Sequence, residues 1–285
     1  PPEKVEGGVL DLIVDVAESD PHRVKIGVQL MIENSRWQEQ ATFRYTYTNL
    51  FGNLTELGIK GVAGWAELPN PWAFFRHGPV LNVTPFLKKK GFLEDYLMWE
   101  LSPAFDMNIE EGYQYWSTGG RAGVGRWFAG MWHAALNYNA RYVDFFNTSA
   151  SLDPKKTQLG RDFKDPFLLS YLELKSELYL TNAIVNPTDG AIFDVVYQVA
   201  GYFLDSGFDY QKVSAGVRGY WKPTRWFQFA SRLQAGLILP FGRNPGAPLT
   251  EKFYLGGSST VRGWGSRRIS PRMEECTTPD DCSSI

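Results

Sequence analysis

From His22 onward, apolar and polar residues alternate one for one along successive segments of the chain. In Val24 to Leu30, the residues Val24, Ile26, Val28 and Leu30 share a face opposite Lys25, Gly27 and Gln29. In Ala41 to Thr48, Ala41, Phe43, Tyr45 and Tyr47 oppose Thr42, Arg44, Thr46 and Thr48. Trp132 to Tyr142 sets Trp132, Ala134, Leu136, Tyr138, Ala140 and Tyr142 against His133, Asn137, Asn139 and Arg141. Phe227 to Leu239 sets Phe229, Leu233, Ala235, Leu237 and Leu239 against Gln228, Arg232, Gln234 and Gly236. Successive side chains of a strand point to opposite faces, so a period of two predicts strands with one apolar and one polar side. About eleven such segments follow Pro21, each roughly 9–14 residues long, the length that crosses a bilayer at a tilt. Breaks are expected at Asn49–Asn53, Pro69–Pro71, Lys88–Gly91, Asn186–Gly190 and Lys222–Thr224. The longest irregular stretches are residues 147–166 and 241–285.

The start of the chain reads differently. Residues 1–8 form a Pro/Glu/Gly linker, and Val9 to Glu18 (VLDLIVDVAE) alternates apolar and acidic residues before Ser19-Asp20-Pro21 breaks it. This predicts the closing strand of a small preceding domain, so residues 1–21 are set apart from residues 22–285. The sequence opens Pro1-Pro2 with neither a Met nor a signal peptide and is expected to be a processed, truncated or partial product.

Composition narrows the class. No run of eighteen apolar residues exists, which excludes a transmembrane helix. A negative mean hydropathy is compatible with a membrane barrel, because only alternate residues face lipid. Aromatic residues make up 15%, which suits the girdles at the two membrane interfaces but on composition alone also suits a soluble β-sandwich or a sugar-binding protein. The long two-faced strands, with Tyr45, Tyr47, Trp65, Trp132 and Tyr142 near their tips, favour the barrel. If the chain enters from the inner side, the short connections at Asn49–Asn53 and Asn186–Gly190 face inward and the long ones at 147–166 and 241–285 face outward.

Chemistry-bearing clusters are sparse. A net charge of −2 gives no reason to expect nucleic acid. Cys276 and Cys282 lie in a polar stretch whose spacing suits a small disulfide loop in an oxidising compartment, with free thiols as the alternative. Three scattered histidines give no metal site, and no nucleophile or acid–base pair converges, so neither an enzyme nor a cofactor is expected. GGRAGVG at Gly119–Gly125 lacks the Lys-Ser/Thr of a phosphate loop and reads as a place where a strand bends. Lys88-Lys89-Lys90 reads as a solvated strand end or a headgroup contact.

One stretch stands apart: Phe253 to Trp264, FYLGGSSTVRGW. Placed after about eleven strands, it resembles the signature loop of the BamA superfamily of outer-membrane assembly and translocation barrels, which includes TamA and the two-partner secretion transporters. The NLFGN and NPTDG turns and the POTRA-like strand Val9–Glu18 support the resemblance, which covers most of the chain. It implies an all-β, transmembrane antiparallel barrel holding about eleven of sixteen strands, preceded by the last strand of a POTRA domain. Residues 241–285 would form a long outer loop. Val261, Arg262, Gly263 and Trp264 match the tip motif of that loop, with Trp264 where relatives carry Phe or Tyr. Arg262 would meet acidic or aromatic groups of the inner wall, and Gly256, Gly257 and Gly263 would permit positive φ and close approach. The first barrel strand, with Val24, Ile26, Val28, Leu30 and Ile32, would form a weak seam that pairs with client strands by β-augmentation. The implied role is insertion of outer-membrane proteins or polypeptide translocation in the bacterial outer membrane, with a periplasmic N-terminus. Its partners would be nascent outer-membrane proteins or exported polypeptides, membrane lipids and periplasmic accessory proteins. A passive pore or solute channel is the alternative.

Overall fold

The computed structural model describes residues 20–149, 163–257 and 260–265. Within them the chain folds into eleven strands: β1 His22–Glu33, β2 Arg36–Leu50, β3 Thr55–Leu68, β4 Arg76–Lys90, β5 Leu97–Ile109, β6 Gln114–Phe128, β7 Trp132–Phe146, β8 Phe167–Thr181, β9 Gly190–Ala200, β10 Tyr210–Thr224 and β11 Phe227–Pro240. They make one sheet in strict sequence order, each strand antiparallel to the next. This is the all-β antiparallel meander that the alternation predicts. The strand Val9–Glu18 and the cysteines Cys276 and Cys282 lie outside the described residues.

Directly paired residues share a face, so the registers extend the two-sided pattern across the sheet. Val28 pairs with Ala41, Ala41 with Ala63 and Ala63 with Leu81, an apolar row. One residue along, Gln29 pairs with Gln40 on the opposite side. The segment after β11 folds back over this polar side, which is therefore the luminal face. The apolar side carries the exposed large hydrophobics of Val24, Ile26, Leu136, Leu174, Phe193 and Leu237, as a lipid-facing wall requires.

Proline placement shows how the ladder tolerates a missing donor. Pro85 and Pro103 fall at facing positions, and the β4–β5 ladder lapses between the pairs Val83↔Phe105 and Leu87↔Leu101. The expected break at Lys222–Thr224 is corrected: these residues belong to β10, and the turn falls at Arg225-Trp226. The register shifts between Trp221 and Thr224, so Pro223 is taken up in a bulge rather than ending the strand. GGRAGVG does not interrupt β6 either; a Cβ on Gly119 would lie 2.1 Å from the Ala140 carbonyl oxygen, so its glycine serves close strand packing.

Candidate functional site

The main hydrophobic cluster lies on the luminal face, beneath the loop that leaves β11. Tyr113, Tyr115, Val143, Phe145, Phe167, Leu169, Ala200, Phe208 and Tyr210 form its wall, and Ala247 and Leu249 of the loop close it. A barrel lumen lined by polar side chains would leave these aromatic groups wet. Their burial therefore depends on the loop, and the loop's position depends on them.

The loop's path is set first at Asp209. This buried carboxylate accepts hydrogen bonds from the backbone N–H groups of Arg243 at 2.7 Å and Asn244 at 2.8 Å through Oδ2. The backbone of Asp209 also accepts from Phe241 N and donates to Asn244 O. Gly242 has φ +75°, and a Cβ there would lie 2.5 Å from Asp209 Oδ2, so only glycine fits this turn. The chain leaves β11, turns on Asp209 and enters the lumen.

Glu251 fastens it there. Its Oε1 lies 3.3 Å from Arg141 Nη2 of β7, and its Oε2 lies 3.1 Å from Lys212 Nζ of β10. Each carboxylate oxygen thus has its own cation, and the Glu251 side chain is only 12% exposed. Lys212 also sits 5.0 Å from the centre of the Phe253 ring, a cation–π contact. Phe253 lies against Gly236 of β11, where a Cβ would be 2.3 Å from the ring. Tyr254 donates its hydroxyl to the Leu249 carbonyl.

Beyond Phe253 the tip motif folds on itself. Gly257 N donates to Trp264 O at 2.8 Å, Trp264 N to Val261 O at 3.1 Å, and Gly256 N to Thr260 Oγ1 at 2.9 Å. Gly256 and Gly257 have φ of +104° and +83°, in the left-handed region that favours glycine. Val261, Arg262, Gly263 and Trp264 are exposed. Arg262 makes no ion pair with a described residue. The tip reaches back to the start of the sheet, where Asn34 Nδ2 in the β1–β2 turn donates to Gly263 O at 3.2 Å.

The groups that hold the loop among the described residues are thus Glu251, Arg141, Lys212 and Asp209, none of which the tip motif signals. Arg141 is visible in the sequence as a cation on the polar side of a strand. Glu251 stands two residues before FYLGG, with nothing local to distinguish it from a solvated charge.

The rest of the luminal wall is a polar network. Glu173 accepts from Asn137 Nδ2 at 3.2 Å and Gln198 Nε2 at 3.0 Å, with Lys175 Nζ at 3.3 Å. Asp106 accepts from Tyr115 Oη at 2.9 Å and Asn82 Nδ2 at 3.2 Å. A cavity of about 510 Å³ opens over this wall, lined among others by Lys60, Asn82, Glu100, Asp106, Arg121 and Arg141. Among the described residues no group of three or more His, Cys, Asp or Glu side chains could hold a metal ion.

The other element that the sequence singles out, β1, lies at one end of the described sheet. Among the described residues β1 is laddered to β2, as β11 is to β10 at the other end of the sheet. Val24, Ile26, Val28, Leu30 and Ile32 stand out from the apolar face of β1, with Val28 86% exposed.

The comparisons with known proteins agree with this geometry. The model of the Omp85 superfamily domain matches residues 68–283. Over 95 residues the chain is 30% identical to the outer membrane protein assembly factor BamA of Nitratidesulfovibrio vulgaris, covering 33% of this chain and 12% of that protein. Over 100 residues it is 31% identical to the sorting and assembly machinery component 50 homolog of Mus musculus, covering 33% of this chain and 19% of that protein. The fold matches the crystal structure of BamA from Haemophilus ducreyi lacking POTRA domains 1–3 with a TM-score of 0.72 at 15% identity, over 89% of this chain and 48% of that one. The matched part is thus under a fifth of each curated relative and about half of the solved chain. A meander of two-faced strands, a loop fastened inside it and a family model matched over most of its length together establish that this chain belongs to the Omp85 superfamily.

Proposed function

We propose that residues 22–285 are the N-terminal part of an outer-membrane barrel that assembles other outer-membrane proteins, and that residues 1–21 end a POTRA domain on its periplasmic side. The observation that carries this reading is the loop after β11, fastened over the luminal face of a sheet that the Omp85 superfamily domain matches over residues 68–283. β1, with its apolar outer face, is the strand that this reading assigns to receive clients. Pairing through main-chain bonds is indifferent to most side chains, so one edge can accept many client strands. The process is non-covalent and calls on no cofactor: a client strand pairs at the edge, the client's next strands add to it, and the client leaves when its own edges meet.

In this reading the loop strap keeps the lumen closed while the edge works. Val261–Trp264 form its tip, with Arg262 as a further anchor to luminal groups of the complete barrel. Cys276 and Cys282 close a small disulfide loop in the same external excursion. Nascent outer-membrane proteins or exported polypeptides are the clients, with membrane lipids and periplasmic accessory proteins as partners.

The test uses the full-length protein in phospholipid vesicles with an unfolded client barrel. Client folding, followed by the shift in gel mobility without heating, should accelerate at least tenfold over empty vesicles. Conductance in planar bilayers without acceleration of any client would overturn the reading in favour of a passive pore.

A further inference from the structure

At the β1 end of the sheet, the registers line up three cations on the luminal face. Lys25 of β1 is paired directly with Arg44 of β2, and Arg44 directly with Lys60 of β3. Such partners project side by side with Cβ atoms about 5 Å apart, and like charges so placed destabilise a sheet. Arg23, two residues from Lys25, adds a further cation to the same face of β1. No ion pair or hydrogen bond joins the charged heads of Lys25, Arg44 or Lys60 to a described residue; Lys60 rests 5.1 Å from the centre of the Phe86 ring.

Glu39 of β2 and Glu67 of β3 stand on the opposite, apolar side, and the luminal acids nearest the row are engaged elsewhere. Glu56 lies 3.5 Å from Lys90, Glu100 accepts from Ser102 at 2.6 Å, and Asp106 is held by Asn82 and Tyr115. Farther round the wall the pattern differs: Glu173, Asp194 and Glu251 each face a cation. An inward lysine on an edge strand is a common guard against unwanted pairing. That accounts for Lys25 alone, because Arg44 and Lys60 stand one and two strands in from the edge.

We propose that this row is the charge-recognition element of the edge, and that it selects polypeptide strands carrying a carboxylate on the lumen-facing residue in register with Lys25. The inference rests on β1 as the strand-receiving edge. A strand added to β1 keeps the alternation, so its residue opposite Lys25 points into the lumen while those opposite Val24 and Ile26 point to lipid. An Asp or Glu at that position continues the row and sets a carboxylate directly beside Lys25. The favoured client strand therefore has one acidic residue between apolar neighbours. Anionic lipid fits less well, because the row faces away from the apolar side of β1 on which Val24, Ile26 and Val28 stand.

The experiment uses the full-length protein carrying Val28→Cys in phosphatidylcholine vesicles, with two synthetic strands that each carry one cysteine. The strands share an apolar outward face and differ only in Asp or Lys at the lumen-facing position opposite Lys25. At low salt, disulfide capture of the Asp strand should exceed that of the Lys strand about fivefold, with the preference shrinking in high salt. Lys25→Glu should reverse the preference. The comparison of the two strands on the unreversed edge stands even where Lys25→Glu fails to fold. Equal capture of both strands overturns charge selection and leaves strand pairing intact. Capture of neither overturns this inference together with the seam itself. Protection of Lys25 from an amine-reactive reagent by phosphatidylglycerol vesicles without peptide would assign the row to lipid phosphates and overturn it as well.

Discussion

Lys212 Nζ stands 3.1 Å from Glu251 Oε2, joining strand β10 to the loop that leaves β11, while Arg141 holds the other carboxylate oxygen from across the wall. Removing one member of a largely buried ion pair leaves the partner charges uncompensated. Glu251→Ala should therefore lower the unfolding free energy of the full-length barrel by about 2–4 kcal/mol and expose the bond after Lys252 to trypsin. Heat-dependent gel mobility and the rate of tryptic cleavage read the two effects. A Glu251→Ala loop as resistant as wild type would show that the strap is held by something else.

The contact of Phe253 with Gly236 predicts a non-additive pair. Gly236→Ala places a methyl group where the Phe253 ring now sits, so the ring must move and the cation–π contact with Lys212 is lost. Overpacking of this kind costs about 1–3 kcal/mol. In a Phe253→Ala background the added methyl meets open space, and the same substitution should cost under about 0.5 kcal/mol. A double-mutant cycle on heat-induced unfolding measures this, and strict additivity would mean that the ring does not occupy that site in solution.

Asp209 predicts a local signature in hydrogen exchange. The amides of Arg243 and Asn244 are protected by one carboxylate oxygen of a side chain, not by a strand ladder. Asp209→Ala should speed exchange at both amides by at least tenfold while the amides of β5 and β6 keep their protection. The loss corresponds to about 1.5–3 kcal/mol for a charge-assisted hydrogen bond. Unchanged exchange at Arg243 would place the loop's turning point elsewhere.

These groups also mark what the sequence could carry. Strands were legible because a wall between lipid and water forces a period of two, as in Trp132–Tyr142, and the register then follows from tight connections such as Asn49–Asn53. Pro223 is not legible in this way, because proline in a strand reads as a breaker unless a bulge absorbs it, and a bulge has no signature in one sequence. The tip motif was legible as a family pattern, yet the contacts that seat the loop were not. Glu251, Arg141 and Lys212 are 110 and 39 residues apart in sequence, and they meet only because the sheet curves and the loop turns on Asp209. Arg262 is exposed among the described residues, so its proposed anchoring is read in the full-length barrel: Arg262→Ala should lower both barrel stability and client assembly, and no change in either would remove that role.

The two faces of the wall can be tested with one residue type at adjacent positions. Val195 pairs with Ala215 on the apolar side, whereas Val196 pairs with Ser214 and with Lys175 on the luminal side. Val195→Glu would place a carboxylate against hydrocarbon, where an acidic group costs less than a basic one but still roughly 1–2 kcal/mol. Val196→Glu places the same carboxylate in water beside Lys175 and should be neutral or slightly stabilising. Denaturant unfolding of the full-length protein in vesicles should therefore rank Val195→Glu well below Val196→Glu. A one-residue slip of β9 would turn every side chain of the strand to the other face and reverse that order. The sign of the difference thus reads the register of the wall directly, independent of any client.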